Sequence, residues 1–457
     1  MRIRVRPGRS LAGKASVPGD KSIAHRWLIL AATAKGTSSL VDLPGSLDVR
    51  STASCLASIT NLARPALDGW ASKRGSGAKG HGSTWNVRVP EGDSTPLEVE
   101  GEGRSGLRRP SDVLDCGNSG STIRMLAGML AAAPFRTVLT GDRSLRARPM
   151  ERVADPLRRM GASVVTTDGT PPVTIDGGGL TGILEEMPTP TAQVKTAILL
   201  AGLDAQGTTT VVEPAATRDH TERAIRALGG PILVEAGRIT VSPFQHEGFA
   251  GRVPGDASSA AFLVAAAALT GSELTLTGVG LNPSRTRYLE VMGRMGVRTT
   301  TSIEAEVLGE PVGELWVAPC DGLVGVRVDP SELPLVVDEV PVLAALAAHA
   351  RGDSWFLEAG ELRVKESDRL SAIVDGIQAL GGHAATEGDD LVLAGGGVDG
   401  GVVDAVGDHR IAMALAVAAL AAQRPVEVDG MEVAAVSFPG FGSLLRSLGA
   451  DLEQVRA

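Results

Sequence analysis

Internal repetition is the feature that most narrows what this chain can fold into. Six segments open on small or polar residues and run into an Ala-rich apolar stretch. They are Gly19-Asp-Lys-Ser-Ile-Ala-His-Arg26, Gly117-Asn-Ser-Gly-Ser-Thr-Ile-Arg124, Pro190-Thr-Ala-Gln-Val-Lys-Thr196, Gly255-Asp-Ala-Ser-Ser-Ala-Ala261, Val337-Asp-Glu-Val-Pro-Val342 and Gly407-Asp-His-Arg-Ile-Ala-Met413. Asp, Ser and Asn in front of an apolar run are N-cap residues, so a helix is expected to open near 20, 118, 191, 256, 338 and 408. A short β-rich run follows each, for example Arg136-Thr-Val-Leu-Thr140 or Glu273-Leu-Thr-Leu-Thr277. A second amphipathic helix comes next and is expected to close on Gly161, Gly229, Gly293, Gly381 or Gly449, since glycine accepts the left-handed C-cap. The repeated unit is helix, strand, helix, strand, and the fold class is α/β.

Two sequence features divide the repeats. Val17-Pro-Gly19 resembles Val253-Pro-Gly255, and two such crossings suggest a double-strand hinge between lobes of three units each. The expected lobes are residues 19–252, and residues 1–18 together with 253–457. The first repeat interval is the longest, and its excess lies in 63–110. There Ala71 to Thr84 is Gly/Ser-rich without apolar periodicity, which predicts a mobile hairpin tip.

Composition excludes several function classes. Aromatic residues make up only 3% of the chain, too few for base stacking, and a net charge of −9 opposes nucleic acid. Any anion site must be built locally, against the overall charge. Cys55, Cys116 and Cys320 show no C-x-x-C spacing and read as free thiols in a reducing compartment. Met1-Arg-Ile-Arg-Val-Arg-Pro7 alternates like a strand, and the apolar run Ala260 to Leu269 is too short for a bilayer. No membrane partner is expected, and the expected location is the cytoplasm.

The helix openings themselves point to the chemistry. A helix N-terminus offers unpaired N–H groups and partial positive charge. The openings carry Lys21, Ser22, Arg26, Asn118, Ser121, Arg124, Gln193, Lys195, Asp338, Glu339, His409 and Arg410, with Arg148 before another helix. In Leu362-Arg-Val-Lys-Glu-Ser-Asp-Arg-Leu370, Lys365, Glu366 and Arg369 would share one face if a helix begins there. Cations beside carboxylates suit anionic ligands that also exchange a proton. No P-loop, dinucleotide fingerprint, metal-ligand spacing or nucleophile elbow is present, so chemistry falls to carboxylates and lysine: Asp338, Glu339 and Glu366 are the candidates. Cations gathered on two facing lobes should repel, so an open form is expected until anions arrive.

At these residues the sequence resembles the 5-enolpyruvylshikimate-3-phosphate synthase family. The motifs P-G-D-K-S-I-A-H-R, D-C-G-N-S-G-S-T-I-R, R-A-R-P-M, T-A-Q-V-K-T, R-D-H-T-E, V-V-D-E, L-R-V-K-E-S-D-R and G-D-H-R-I-A-M-A occur in the family's order. The resemblance implies an enolpyruvyl transferase fold: two lobes, each of three βαβαββ units, an inside-out α/β barrel. It implies transfer of a carboxyvinyl group from phosphoenolpyruvate to shikimate 3-phosphate, without a cofactor or metal and with a monomer expected. Catalytic roles carry over to Asp338, Glu366 and Lys21. Contacts to shikimate 3-phosphate carry over to Lys21, Ser22, Arg26, Thr191, Ala192, Gln193, Arg218, Asp338 and Lys365. Contacts to phosphoenolpyruvate carry over to Lys21, Gly120, Arg148, Gln193, Arg369 and Arg410. Gly120, lacking a methyl group, further implies sensitivity to glyphosate.

Three departures accompany the match. Many relatives carry a lysine in K-T-F-P where this chain has Val436-Ser437-Phe438-Pro439. Many read S-S-Q at Thr191-Ala192-Gln193, and Ser121 stands where threonine is usual. The sister family acting on UDP-N-acetylglucosamine has Lys-Asn at the first motif and a loop cysteine. Lys21-Ser22 and the cysteine-free segment Thr140 to Arg148 do not match it. A non-catalytic scaffold for phosphorylated metabolites would have no need of opposed carboxylates.

Overall fold

A computed structural model describes residues 1–60 and 96–455. Within them the strands form six small sheets, one of three strands and five of four. The second repeat shows how a unit is built. Ser119 caps the helix Gly120–Leu130 by accepting from Thr122 N at 3.1 Å. Leu114–Asp115 before that helix pairs in parallel with Arg136–Thr140 after it. A second helix, Glu151–Arg159, leads to the hairpin Ser163–Thr167 and Thr170–Asp176, whose last strand pairs antiparallel with Arg136–Thr140. The order is therefore βαβαββ, with apolar residues alternating inward along the strands.

The six repeat helices begin within two residues of the expected openings: Lys21–Thr33, Gly120–Leu130, Ala192–Gly202, Ala257–Leu269, Val340–Ala348 and His409–Ala418. The second helices end before Gly161, Gly229, Gly381 and Gly449, all at positive φ. The expected closure at Gly293 is corrected. Gly293 lies inside the helix Arg287–Arg294, and the left-handed residue is Gly296. Val291, Met292 and Met295 are all buried, and that apolar face carries the helix past the glycine.

Two sheets borrow a strand across the Pro-Gly crossings. Ala250–Arg252 pairs in parallel with Lys35–Val41, while Lys14–Ser16 pairs in parallel with Leu274–Gly280. The first strand, Arg2–Arg6, lies between Val426–Asp429 and Asp451–Val455, antiparallel to both. Buried apolar side chains form two clusters without a shared residue. One runs from Ile23 to Val253; the other combines Ile3 to Val17 with Ala257 to Leu452. Within the first cluster, a Cβ on Gly128 would lie 2.1 Å from Ala197 O, so only glycine lets those two helices approach so closely.

The hairpin tip expected at 71–84 lies outside the described residues. Leu97–Glu102, within the 63–110 excess, is a strand paired antiparallel with Lys35–Val41. Among the described residues no helix is long and apolar enough to cross a membrane, and no group of His, Cys, Asp and Glu could hold a metal ion. Cys55, Cys116 and Cys320 are free, the first two buried.

Candidate active site

The site forms where helix openings from both clusters meet. On the first side, Asp20 caps the helix Lys21–Thr33, and Lys21 Nζ pairs with Asp48 Oδ2 at 2.8 Å. Asp48 belongs to the helix Leu47–Ala57, and its backbone O accepts from Thr122 at 3.3 Å. One turn along the first helix Arg26 is buried, its nitrogens donating to Ser22 O, Thr196 Oγ1 and Thr221 Oγ1, each at 2.8 Å. Arg148 Nη2 donates to Asn118 Oδ1 at 2.6 Å. Arg124 Nη1 donates to Gln193 Oε1 at 2.6 Å, and Gln193 Nε2 donates to Ser121 Oγ at 3.0 Å. A Cβ on Gly120 would lie 2.7 Å from Arg124 Nη1 and 3.1 Å from Arg148 Nη1, so this glycine sits against both guanidinium groups. Thr191 and Ala192 are half-buried at the opening of the next helix, where Thr191 makes no side-chain cap bond.

Carboxylates dominate the second side. Arg369, 1% exposed, meets three of them: Glu366 at 2.5 Å, Asp408 at 2.8 Å and Asp338 at 3.4 Å. Arg410 Nη1 donates to Asp338 O at 2.7 Å and lies 3.7 Å from Glu339. Asp408 caps the helix His409–Ala418 and also accepts from Ser367 Oγ at 3.1 Å. Burial disfavours the charged form of both Asp338 and Glu366, but the cations around them outweigh it. Arg218, Arg410, Lys365 and Arg369 hold Asp338 well below the usual carboxylate range. Arg369, Arg148 and Lys21 do the same for Glu366. Lys21 and Arg148 thus act on the same carboxylate as Arg369, from the opposite side. Burial, with Lys21 adding to it, pushes the His409 imidazole down to about 3.

The two sides touch. Arg218 Nη2 donates to Asp338 Oδ2 at 2.6 Å, and Ser144 Oγ lies 3.5 Å from Glu366 O. Asp48, Asp338, Glu366 and Asp408 stand among the cations of the two sides. Two local expectations are corrected. Lys365 and Glu366 precede the helix Arg369–Ala379 rather than riding on it, because Asp368 accepts from Ser371 N at 3.1 Å and caps the helix there. Lys365 is extended after the 3-10 turn Ala359–Val364 and pairs with Glu361 at 3.1 Å. Lys195 is no site cation, since it is buried between Glu213 at 3.0 Å and Glu222 at 2.6 Å. Sequence reasoning did not single out Asp48 or Asp408. Asp408 carried a signal, as the cap immediately before His409 and Arg410, whereas Asp48 had none beyond opening a helix.

Known proteins match along this whole arrangement. The family model for EPSP synthase (3-phosphoshikimate 1-carboxyvinyltransferase) covers residues 5–66 and 86–445. The chain belongs to the EPSP synthase family. It is 43% identical to the 3-phosphoshikimate 1-carboxyvinyltransferase of Acidithiobacillus ferrooxidans, over 100% of both chains. It is also 43% identical to that of Halorhodospira halophila, over 98% of this chain and 96% of the relative. The solved EPSP synthase of Acinetobacter baumannii superposes with a TM-score of 0.82 at 37% identity, over 99% of this chain and 100% of that one. The match fixes the α/β fold of this family. Against the family pattern, Val436 ends the 3-10 turn Met431–Val436, which packs on the helix bearing Asp48.

Proposed function

We propose that this chain transfers the carboxyvinyl group of phosphoenolpyruvate to the 5-hydroxyl of shikimate 3-phosphate, releasing phosphate by addition and elimination. The observation that carries the reading is the pair of ionised carboxylates, Asp338 and Glu366, both held by Arg369 and ringed by cations from the two sides. Phosphoenolpyruvate would lie against Arg148, Arg369, Arg410 and Lys21, with Gly120 giving it room and Gln193 between the ligands. Shikimate 3-phosphate would meet Ser22, Arg26, Thr191, Ala192, Gln193, Arg218 and Lys365. The division into lobes 19–252 and 1–18 with 253–457 is part of the proposal, supported by the two separate buried clusters. So is action as a monomer in the cytoplasm.

In this scheme Asp338 accepts the proton of the hydroxyl as its oxygen attacks the enol carbon of phosphoenolpyruvate. The methylene carbon takes a proton from Glu366, assisted by Lys21. The bond from the attacked carbon to the phosphate oxygen then breaks, a methyl proton returns to Glu366, and the hydroxyl proton held by Asp338 leaves with the phosphate, which gives the product. Glu366 needs a proton before it can give one, and its cationic neighbours oppose that. An incoming phosphate and carboxylate offset those same cations, so binding of phosphoenolpyruvate itself raises the affinity of Glu366 for a proton. The arginines then stabilise the departing phosphate electrostatically.

Phosphate release from phosphoenolpyruvate, measured with and without shikimate 3-phosphate, tests the assignment. Release should require the co-substrate. Asp338→Ala should lower turnover by about 10²–10⁴-fold while retaining shikimate 3-phosphate, because it removes a negative charge beside three arginines. Release independent of the co-substrate, or undiminished turnover in the variant, would refute the assignment.

A further inference from the structure

The sequence Val-Pro-Gly-Asp occurs at 17–20 and again at 253–256, at the two chain crossings. Each copy ends on a capping aspartate: Asp20 accepts from Ile23 N at 2.9 Å, and Asp256 from Ser258 N at 3.0 Å. The copies lie against each other. Asp20 N donates to Pro254 O at 2.7 Å and Asp256 N to Pro18 O at 2.8 Å, an almost two-fold arrangement. It brings two buried carboxylates together, and like charges out of water repel. Burial, with Asp20 adding to it, pushes the Asp256 carboxyl up.

One guanidinium answers both. Arg285, 3% exposed, places Nη2 at 2.9 Å from Asp256 Oδ1 and 3.3 Å from Asp20 Oδ2, and Nη2 also donates to Ser258 Oγ at 2.8 Å. Ser258 Oγ in turn donates to Glu339, the neighbour of Asp338, and Arg410 Nη2 lies 3.5 Å from the same hydroxyl. A single nitrogen therefore touches the cap of the helix that begins with Lys21. Through Ser258 it also reaches the segment that carries Asp338. Nε and Nη1 of Arg285 have no hydrogen-bond partner among the described residues.

We propose that Arg285 is a positioning residue that locks the two crossings together and so sets Lys21 relative to Asp338 and Arg410. The proposal rests on the reading of Lys21 and Asp338 given above. Neutralising two buried carboxylates would by itself affect only stability. Setting reacting groups from two halves of the molecule affects turnover in the folded protein, because small misplacements of such groups are costly in rate.

Arg285→Met and Arg285→Lys in the full chain separate these roles, with kcat per folded protein, both KM values and thermal melting as readouts. The methionine variant should lose about 10–100-fold in kcat while its KM for shikimate 3-phosphate stays within about threefold. Because one nitrogen makes all the contacts, a lysine ammonium should recover most of that loss. Parent-like kcat in the methionine variant, however low its melting temperature, overturns the proposal, and so does a lysine variant no better than methionine. If methionine prevents folding, Ser258→Ala leaves both ion pairs in place and should lower kcat by about 3–10-fold; an unchanged kcat there overturns it too. A parent chain that releases no phosphate with both substrates present would refute the activity itself, and this proposal with it.

Discussion

Arg148 and Arg369 approach the same carboxylate, Glu366, from opposite sides of the site, and their surroundings differ. Arg369 is fixed by Glu366, Asp338 and Asp408. Arg148 is held by Asn118 and lies near Ser144, and among the described residues no carboxylate stands within ion-pair distance of it. The contrast extends to their neighbours. Arg26 and Arg124 also bond only to hydroxyl, amide and backbone groups, whereas Arg410 lies beside Asp338 and Glu339. Burial pushes Arg26 and Arg124 down to about 10, so both remain charged at neutral pH in poorly solvated surroundings. Positive charge on Arg26, Arg124 and Arg148 is left for an anion to compensate, whereas Lys21 and Arg218 are already paired with Asp48 and Asp338. Charge on the second side is already balanced and serves to orient the carboxylates.

Methionine at each of these two arginines should break the symmetry of a conventional active-site scan. Arg369→Met strands three carboxylates, and removing one partner of a buried ion pair costs about 3–5 kcal/mol. A large fall in melting temperature is expected, with activity lost along with the fold of that region. Arg148→Met strands no carboxylate, so its melting temperature should hold or rise. Its KM for phosphoenolpyruvate should increase by about 10–100-fold, the worth of one charge-assisted contact. Equal destabilisation by the two variants would dissolve the distinction between anion-binding and carboxylate-orienting arginines.

A smaller perturbation probes the first side alone. A methyl group at Gly120 meets the ends of Arg124 and Arg148 rather than backbone, so those guanidinium groups can shift by a few tenths of an ångström. Gly120→Ala should therefore fold normally and raise the KM for phosphoenolpyruvate by about threefold to tenfold. Glyphosate should inhibit the parent chain well below millimolar concentration and inhibit the variant more weakly. A parent chain needing millimolar inhibitor while its substrate KM stayed micromolar would show that Gly120 does not set this selectivity.

How far the sequence foretold this arrangement follows from how local each interaction is. The helix openings were legible because a cap and the apolar run behind it lie within a few residues, as at Asp20 and Asp408. The family motifs placed Lys21, Arg148, Arg369 and Arg410 in one site before any geometry was known. Pairing across long sequence separations was not legible. Lys195 looked like another site cation until Glu213 and Glu222 enclosed it. Lys365 and Glu366 looked helical because spacing alone does not reveal that Asp368 is the cap. The carboxylates among the site cations were hidden for the same reason: charges were visible in the sequence, and the pairing of Lys21 with Asp48 and of Arg369 with Asp408 was not.

The smallest effect concerns two histidines and again separates the sides. His25 is buried, sharing a hydrogen bond with Thr52 at 2.7 Å; burial, with Lys21 and Arg26 adding to it, pushes its imidazole well below the usual value. His409 is pushed down to about 3, with Asp408 and Glu366 pulling the other way. A histidine that stays neutral when folded binds fewer protons than in the unfolded chain. Its stabilising contribution is therefore full above the unfolded value near 6.5 and declines as pH falls toward the folded one. At pH 5 the loss is about 2 kcal/mol for His409. Half-buried Asp204 and buried Glu222 and Asp256 are pushed up by desolvation and contribute a slope of the opposite sign, so the test is a difference between variants. Melting temperatures from pH 7.5 to pH 5 should fall for the parent chain and fall less for His25→Gln and His409→Gln. A His25→Gln chain whose melting falls with acid as steeply as the parent's would mean that His25 protonates without cost, and that the first side is less desolvated than its arginines indicate.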